Sequence, residues 1–267
     1  MIAMTASTFA RSSRRQPGMR ADHAACRQSL LITVALIILL VGLFLPHPAS
    51  ATLINVDFNS SGPGTSVGTF AGTGILGGGT WNGVVVNQNA QALAPTSLLD
   101  STGAASGVSV AIPAYQGAWN FASQPASSWK PLLGDYLYVT AAGQSTATIN
   151  LSGLGSATTW DLVFYSASGQ GEGSNFTIGA TTKQTTDSGI IGTTLTAGDE
   201  YVVFNNIVSD GSGSISIDWA NYGTPGSVLN GFQIQSVAVP EPSSLIALAL
   251  TTLVGFMARQ RVRTTRA

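Results

Sequence analysis

Histidine and cysteine stop at position 47 of this chain, which sharply narrows the chemistry open to the rest of it. His23, His47 and Cys26 all precede residue 52, and residues 52–239 contain neither type and no arginine. Without imidazole or thiolate there is no base for a serine triad, no thiolate or imidazole metal site and no disulfide. Carboxylates, two lysines, hydroxyls and aromatic rings are what remain.

Three catalytic patterns occur and each lacks its context. Gly64-Thr65-Ser66-Val67-Gly68 has the spacing of a nucleophile elbow, but no histidine can serve Ser66. Ser127-Ser128-Trp129-Lys130 offers a serine and lysine one helical turn apart, bracketed too closely by Pro125 and Pro131 for a stable helix. Gly72-Thr73-Gly74-Ile75-Leu76-Gly77 fits the dinucleotide fingerprint, yet Gly78, Gly79, Thr80 and Trp81 follow where a helix should begin, so a flexible loop is expected.

Paired carboxylates suffice for glycoside hydrolysis. Glu172, in Gly169-Gln170-Gly171-Glu172-Gly173, is the best candidate acid, with Glu200 or Asp199 as partner. Burial sufficient to tune a carboxyl is not expected among glycines, so Glu172 reads as a solvated loop charge. The expectation is a chain with no catalytic residues, a carboxylate-dependent glycosidase being the alternative. Asp187, Asp199, Asp210 and Asp218 supply hard oxygen donors, but none has the spacing of a calcium loop. They read as turn formers, with no metal site assigned and a structural calcium left open.

Aromatic rings offer more than the acids do. The connection from Pro113 to Pro131 carries Tyr115, Trp119, Phe121, Trp129 and Lys130 beside Gln116, Asn120 and Gln124. Rings flanked by amides suit sugars, whose C–H faces stack while their hydroxyls hydrogen-bond, and binding residues gather on loops. Tyr115, Trp119, Trp129 and, from another loop, Trp81 are therefore the candidate glycan-binding residues, with Tyr222 as a further contributor. The competing expectation is that these rings plug the core.

Charge excludes one partner class. Between residues 52 and 239 only Lys130 and Lys183 are basic, against ten acids, a formal balance of −8. Such a surface repels phosphate backbones, so no nucleic acid is expected to bind.

To position these groups the chain offers strands. Short blocks rich in β-branched and aromatic residues, bounded by Gly, Ser, Asn or Asp, predict strands near 53–58, 83–87, 108–112, 136–140, 147–151, 160–166, 176–178, 201–207, 214–219 and 231–237. Alternation is clearest in Ser214-Ile215-Ser216-Ile217-Asp218-Trp219 and in Phe232-Gln233-Ile234-Gln235, implying one face on a core and one in water. Asp210-Gly211 marks a hairpin turn. No sustained helical period separates the blocks, so the expected fold is all-β: a single antiparallel β-sandwich or jelly roll. Through Trp160-Asp161-Leu162-Val163-Phe164-Tyr165-Ser166, Tyr201-Val202-Val203-Phe204 and Leu229-Asn230-Gly231-Phe232-Gln233-Ile234, this block resembles the galactose-binding-like jelly rolls. That resemblance implies architecture and no ligand residue.

Both ends of the chain read as export signals. Arg11, Arg14, Arg15, Arg20 and Arg27 precede an apolar run from Leu30 to Leu45, and Ala49-Ser50-Ala51 has the small-residue pattern of a cleavage site. Pro46 and Pro48 break the helix there, so a secretory signal peptide cut after Ala51 by signal peptidase is expected. Met1, Met4 and Met19 are alternative starts.

At the other end, Pro240-Glu241-Pro242 is held extended by its prolines. Ser243 to Ala258 then gives sixteen residues, about 24 Å of helix, for a short transmembrane segment. Arg259, Arg261, Arg263 and Arg266 fix the tail on the cytoplasmic side. This order of elements resembles the PEP-CTERM sorting signal of Gram-negative bacteria. The resemblance implies recognition by an exosortase-type membrane protease, cleavage near the motif, an inner-membrane intermediate, and association with exopolysaccharide at the cell surface or in the extracellular matrix. An ordinary C-terminal anchor is the competing reading.

The expected organisation is thus a signal peptide over 1–51, a β-sandwich over 52–238 and a sorting signal over 239–267. The expected role is a secreted, exopolysaccharide-associated protein that binds carbohydrate without catalysis; a purely structural coat is a further alternative.

Overall fold

Short blocks of β-branched and aromatic residues cut by Gly, Ser, Asn and Asp become strands throughout the described region. The computed structural model describes residues 51–60, 68–89, 91–120, 129–189, 191–223 and 226–237. The expected signal helix, Ala49, Pro240, Glu241, Pro242, the C-terminal helix and the four arginines after it lie outside the described residues. Among those described, no helix is long and apolar enough to cross a membrane.

The strands are β1 (Leu53–Ser60), β2 (Phe70–Thr73), β3 (Gly78–Val86), β4 (Leu93–Leu99), β5 (Ala105–Ile112), β6 (Gly117–Asn120), β7 (Asp135–Val139), β8 (Thr146–Ser152), β9 (Thr159–Tyr165), β10 (Ser174–Ile178), β11 (Thr181–Gln184), β12 (Tyr201–Val208), β13 (Ile215–Asn221), β14 (Ser227–Leu229) and β15 (Gly231–Ser236). One short helix, α1 (Lys130–Leu133), precedes β7. Pro131 sits in its first turn, where a missing N–H costs nothing, so the proline that argued against a helix here is accommodated.

All ten predicted strands are present. Five were not foreseen, β2, β4, β6, β11 and β14, and all five are edge strands. β4 carries Pro95 and breaks register twice against β5, which only an edge tolerates.

Two six-stranded sheets, ordered β12-β9-β15-β1-β3-β2 and β11-β10-β13-β8-β5-β4, enclose the core, and a third, β14-β7-β6, adds to it. Ile54, Val56, Phe58, Leu162, Phe164, Phe232 and Ile234 from the first sheet share one buried cluster with Val110, Ile112, Ile149, Leu151, Phe176, Ile217 and Trp219 from the second. On β13 the alternation is as expected: Ile215, Ile217 and Trp219 are buried, Ser216 and Asp218 exposed.

The pairing is not antiparallel throughout, a correction to the expected sandwich. β1 and β3 run parallel, because β2 takes the outer edge and its hairpin returns β3 between β2 and β1. That hairpin turn is the glycine fingerprint itself. Gly74 and Gly77 exchange backbone hydrogen bonds of 2.8 and 3.3 Å, so the segment is an ordered turn rather than a flexible loop.

A second correction concerns the outer face of the first sheet, which is covered. Gln233 is fully buried between Phe232 and Ile234. Its amide donates to Asn55 Oδ1 (2.6 Å) and the Gly77 carbonyl (3.0 Å), while its carbonyl accepts from the Tyr165 hydroxyl (2.6 Å) and the Leu76 N–H (3.0 Å). Trp81, Leu132, Leu133, Val163, Tyr165 and Leu195 form a second apolar cluster over this network. The turn at 74–77 and α1 thus replace water on that face.

Asp57 on β1 is fully buried; Asn59 Nδ2 donates to its Oδ2 at 2.9 Å, and its Oδ1 has no hydrogen-bond partner among the described residues. Burial, with the nearby Asp135 charge, pushes its carboxyl well above the usual carboxylate range. The folded protein therefore holds a proton that the unfolded chain releases near pH 4, and stability falls as pH rises above that point. Asp57→Asn, which removes the titration, is expected to raise the melting temperature at pH 7, with the gain shrinking as pH falls toward about 4. Thermal melts across that range check this; a variant less stable than the parent at pH 7 would contradict it.

Candidate functional site

The third sheet presents one face to the core and one outward. Ala118, Leu137, Val139 and Leu229 point into the main cluster. On the opposite face, the register sets Trp119 beside Tyr136 and Gly117 beside Tyr138. Directly opposed residues of an antiparallel pair share a face, so Trp119, Tyr136 and Tyr138 line up together. The Tyr138 ring lies over Gly117, where a Cβ would stand 2.8 Å from its hydroxyl and displace the ring.

These rings border an open cleft of about 270 Å³, completed by Thr140, Glu172 and Gly226. Its size suits a single ring or head group. Trp119 remains 52% exposed, a large indole left at the rim. Tyr136 is nearly buried, and desolvation, helped by the Glu172 charge, pushes its hydroxyl far up, so it stays protonated.

Glu172 reaches the cleft because Asp187 organises the glycine-rich loop. Asp187 Oδ2 accepts from the backbone N–H of Ser168 (3.0 Å), Gly171 (3.1 Å) and Glu172 (2.9 Å) and from the Ser168 hydroxyl (3.0 Å). Its Oδ1 accepts from the Gly169 N–H at 3.1 Å. Gly171 turns at φ +82°, a conformation that favours glycine. The Val228 N–H then ties the loop to β14 through the Glu172 carbonyl, at 3.3 Å.

Glu172 is accordingly half-buried, which corrects the expectation of a solvated loop charge. Desolvation pushes its carboxyl up from the usual range, the Ser168 hydrogen bond opposing this and the Asp187 charge adding to it. Its Oε2 is buried and has no hydrogen-bond partner among the described residues.

The sequence candidates scatter. Trp119 lines the cleft. Trp129 sits in the cluster over the first sheet instead, its indole donating to the Thr193 carbonyl (3.1 Å) and its ring 6.4 Å from Tyr165. Trp81, 1% exposed, stacks on Phe70 at 5.8 Å, and Tyr115 is wholly buried, so neither offers a ring face to a ligand. Tyr136, Tyr138, Thr140 and Gly226 were missed, although the alternation Tyr136-Leu137-Tyr138-Val139-Thr140 carried the signal for the first three.

Of the other acids, Glu200 accepts from the Thr196 N–H (2.7 Å), and Asp199 accepts from Thr186 and Ser188. Asp210 caps its own turn through Ser212 and Ser214, and Asp218 takes the Thr148 hydroxyl at 3.4 Å. Among the described residues, no three His, Cys, Asp or Glu side chains gather as a metal-binding group. Ser66 and Ser127 lie outside the described residues.

No curated protein and no solved structure matches the chain. Residues 238–262 match the PEP-CTERM protein-sorting motif. That span contains Pro240-Glu241-Pro242, the apolar run and Arg259 and Arg261. The chain therefore carries a PEP-CTERM protein-sorting motif, the mark of an exported protein that is sorted by an exosortase through a membrane-anchored intermediate.

Proposed function

We propose that this protein is a non-catalytic, carbohydrate-binding component of the extracellular matrix or cell surface of a Gram-negative bacterium. Signal peptidase removes the leader after Ala51, the C-terminal helix holds an inner-membrane intermediate, and exosortase processing near Pro240-Glu241-Pro242 releases the β-sandwich to its exopolysaccharide. The observation that carries the binding half is Trp119, an exposed indole at the rim of a tyrosine-lined cleft. An aromatic face at the rim stacks on the C–H face of a sugar, while Tyr136, Tyr138, Thr140 and Glu172 provide polar partners.

Trp119→Ala is expected to weaken retention on the producing organism's exopolysaccharide by about 30-fold, the loss of an aromatic hot spot. Its melting temperature should stay within a degree or two of the parent's, since surface truncations cost about 0.5 kcal/mol or less. Trp129→Ala should do the reverse, lowering stability and sparing retention. Affinity electrophoresis with thermal melts checks both; unchanged retention in Trp119→Ala would contradict the assignment.

Glu172 favours a second reading. A half-buried carboxyl held above its usual range in a cleft is placed like a glycosidase acid. Against it, Glu172 is the one carboxylate among the residues that line the cleft, and hydrolysis needs two. Reducing-end release from the same polysaccharide, abolished in Glu172→Gln, would establish that reading.

A further inference from the structure

The cleft has a property that a neutral sugar does not use. Glu172 Oε2 is buried without a hydrogen-bond partner among the described residues, and a bare carboxylate oxygen is costly unless a cation or a donor meets it. The chain's own cations within the sandwich are placed elsewhere. Lys183 donates to the Val203 carbonyl and lies 5.3 Å from the centroid of Phe204, and Lys130 begins α1.

Glu172 shares the lining of the cleft with three aromatic rings, Trp119, Tyr136 and Tyr138. Their π faces are negative and attract cations, most strongly from tryptophan. The acidic groups acting on Glu172 and Tyr136 include Asp187, and the sandwich as a whole carries a formal −8. Carboxylate, aromatic faces and overall field all select for positive charge, and none favours an acidic sugar.

We infer that the cleft takes an ammonium-bearing sugar: a glycan with free amino groups, whose cation meets the Glu172 carboxylate and the face of Trp119. The inference rests on the reading of the cleft as a glycan site and names the sugar chemistry that this site selects.

The test compares three probes of equal length: glucosamine oligomers, N-acetylglucosamine oligomers and glucose oligomers. Binding is measured by calorimetry to the detergent-solubilised full chain and, in parallel, to residues 50–238, which form a compact unit of their own. At about pH 6 most of the sugar amines are protonated, electron withdrawal by the neighbouring oxygens placing them below the α-amino value of about 8. The glucosamine oligomer is expected to bind at least about tenfold more tightly than the N-acetyl form. Glu172→Gln should cut that preference to within about threefold.

Equal affinity for the amino and N-acetyl oligomers would overturn the inference while leaving the glycan reading in place. A preference that survives in Glu172→Gln would overturn the role of that carboxylate. Failure of all three probes to bind would overturn the glycan reading and the inference with it. The comparison on the unmodified protein stands even where the variant disturbs the 168–172 loop.

Discussion

Glu241→Ala is expected to leave the full-length precursor in the membrane fraction, with processing slowed by roughly 10⁴-fold. Pro240 and Pro242 have no backbone N–H to offer on either side of Glu241, so its carboxylate is the strongest group a processing enzyme can grip. A site built to bind a charged group rejects an analogue lacking it far more strongly than it rejects a change of apolar bulk, because its own polar groups are left unpaired. Gel mobility and fractionation of the two proteins, expressed side by side in the native host, read this directly. Release at the parental rate would show that residues 238–262 act as a plain anchor despite matching the sorting motif.

Phe164→Ala should bring the largest loss of stability, about 3–5 kcal/mol. Phe164 lies on β9 in the first sheet and stacks on Phe176 of β10 in the second, centroids 4.9 Å apart and planes 14° from parallel. Phe204 meets its ring edge-on at 6.0 Å and Phe232 lies 6.2 Å away. Truncation therefore opens a cavity where the two sheets touch and removes several aromatic pairs at once. Since a domain is stable by about 5–15 kcal/mol, much of the margin disappears. Urea denaturation measures it; a loss below about 1 kcal/mol would mean that the sheets do not close on this ring.

Strand positions were legible because β-branched and aromatic blocks between turn residues state their own boundaries. The parallel pairing of β1 with β3 was not, since a strand's composition says nothing about its direction; direction here follows from the hairpin at 74–77. Gln233 misled for a related reason. Alternation gives the two faces of a strand but not whether a second layer covers the polar one, and here the 74–77 turn and α1 do so.

Legibility of the cleft was uneven for similar causes. Trp119 and Trp81 are the same residue type near glycine-rich segments, yet one is at a rim and the other in a core. The difference lies in which strand face each occupies, and β6 is four residues long, too short to show alternation. Tyr136, Tyr138 and Thr140 sat in plain alternation within a predicted strand, but aromatic rings there read equally well as core. Glu172 looked solvated because Asp187, fifteen residues away and itself at φ +48°, gave no sign that it would gather the loop's N–H groups. Long-range hydrogen bonds of that kind leave no local pattern.

The central claim is that an exosortase-sorted β-sandwich holds exopolysaccharide through the Trp119 cleft. Its most direct test is co-sedimentation of residues 52–238 with the producing organism's own exopolysaccharide, parent and Trp119→Ala together, with and without a calcium chelator. The expected result is saturable binding by the parent, indifferent to chelator and lost in the variant. No binding by the parent, or equal binding by the variant, would contradict the account.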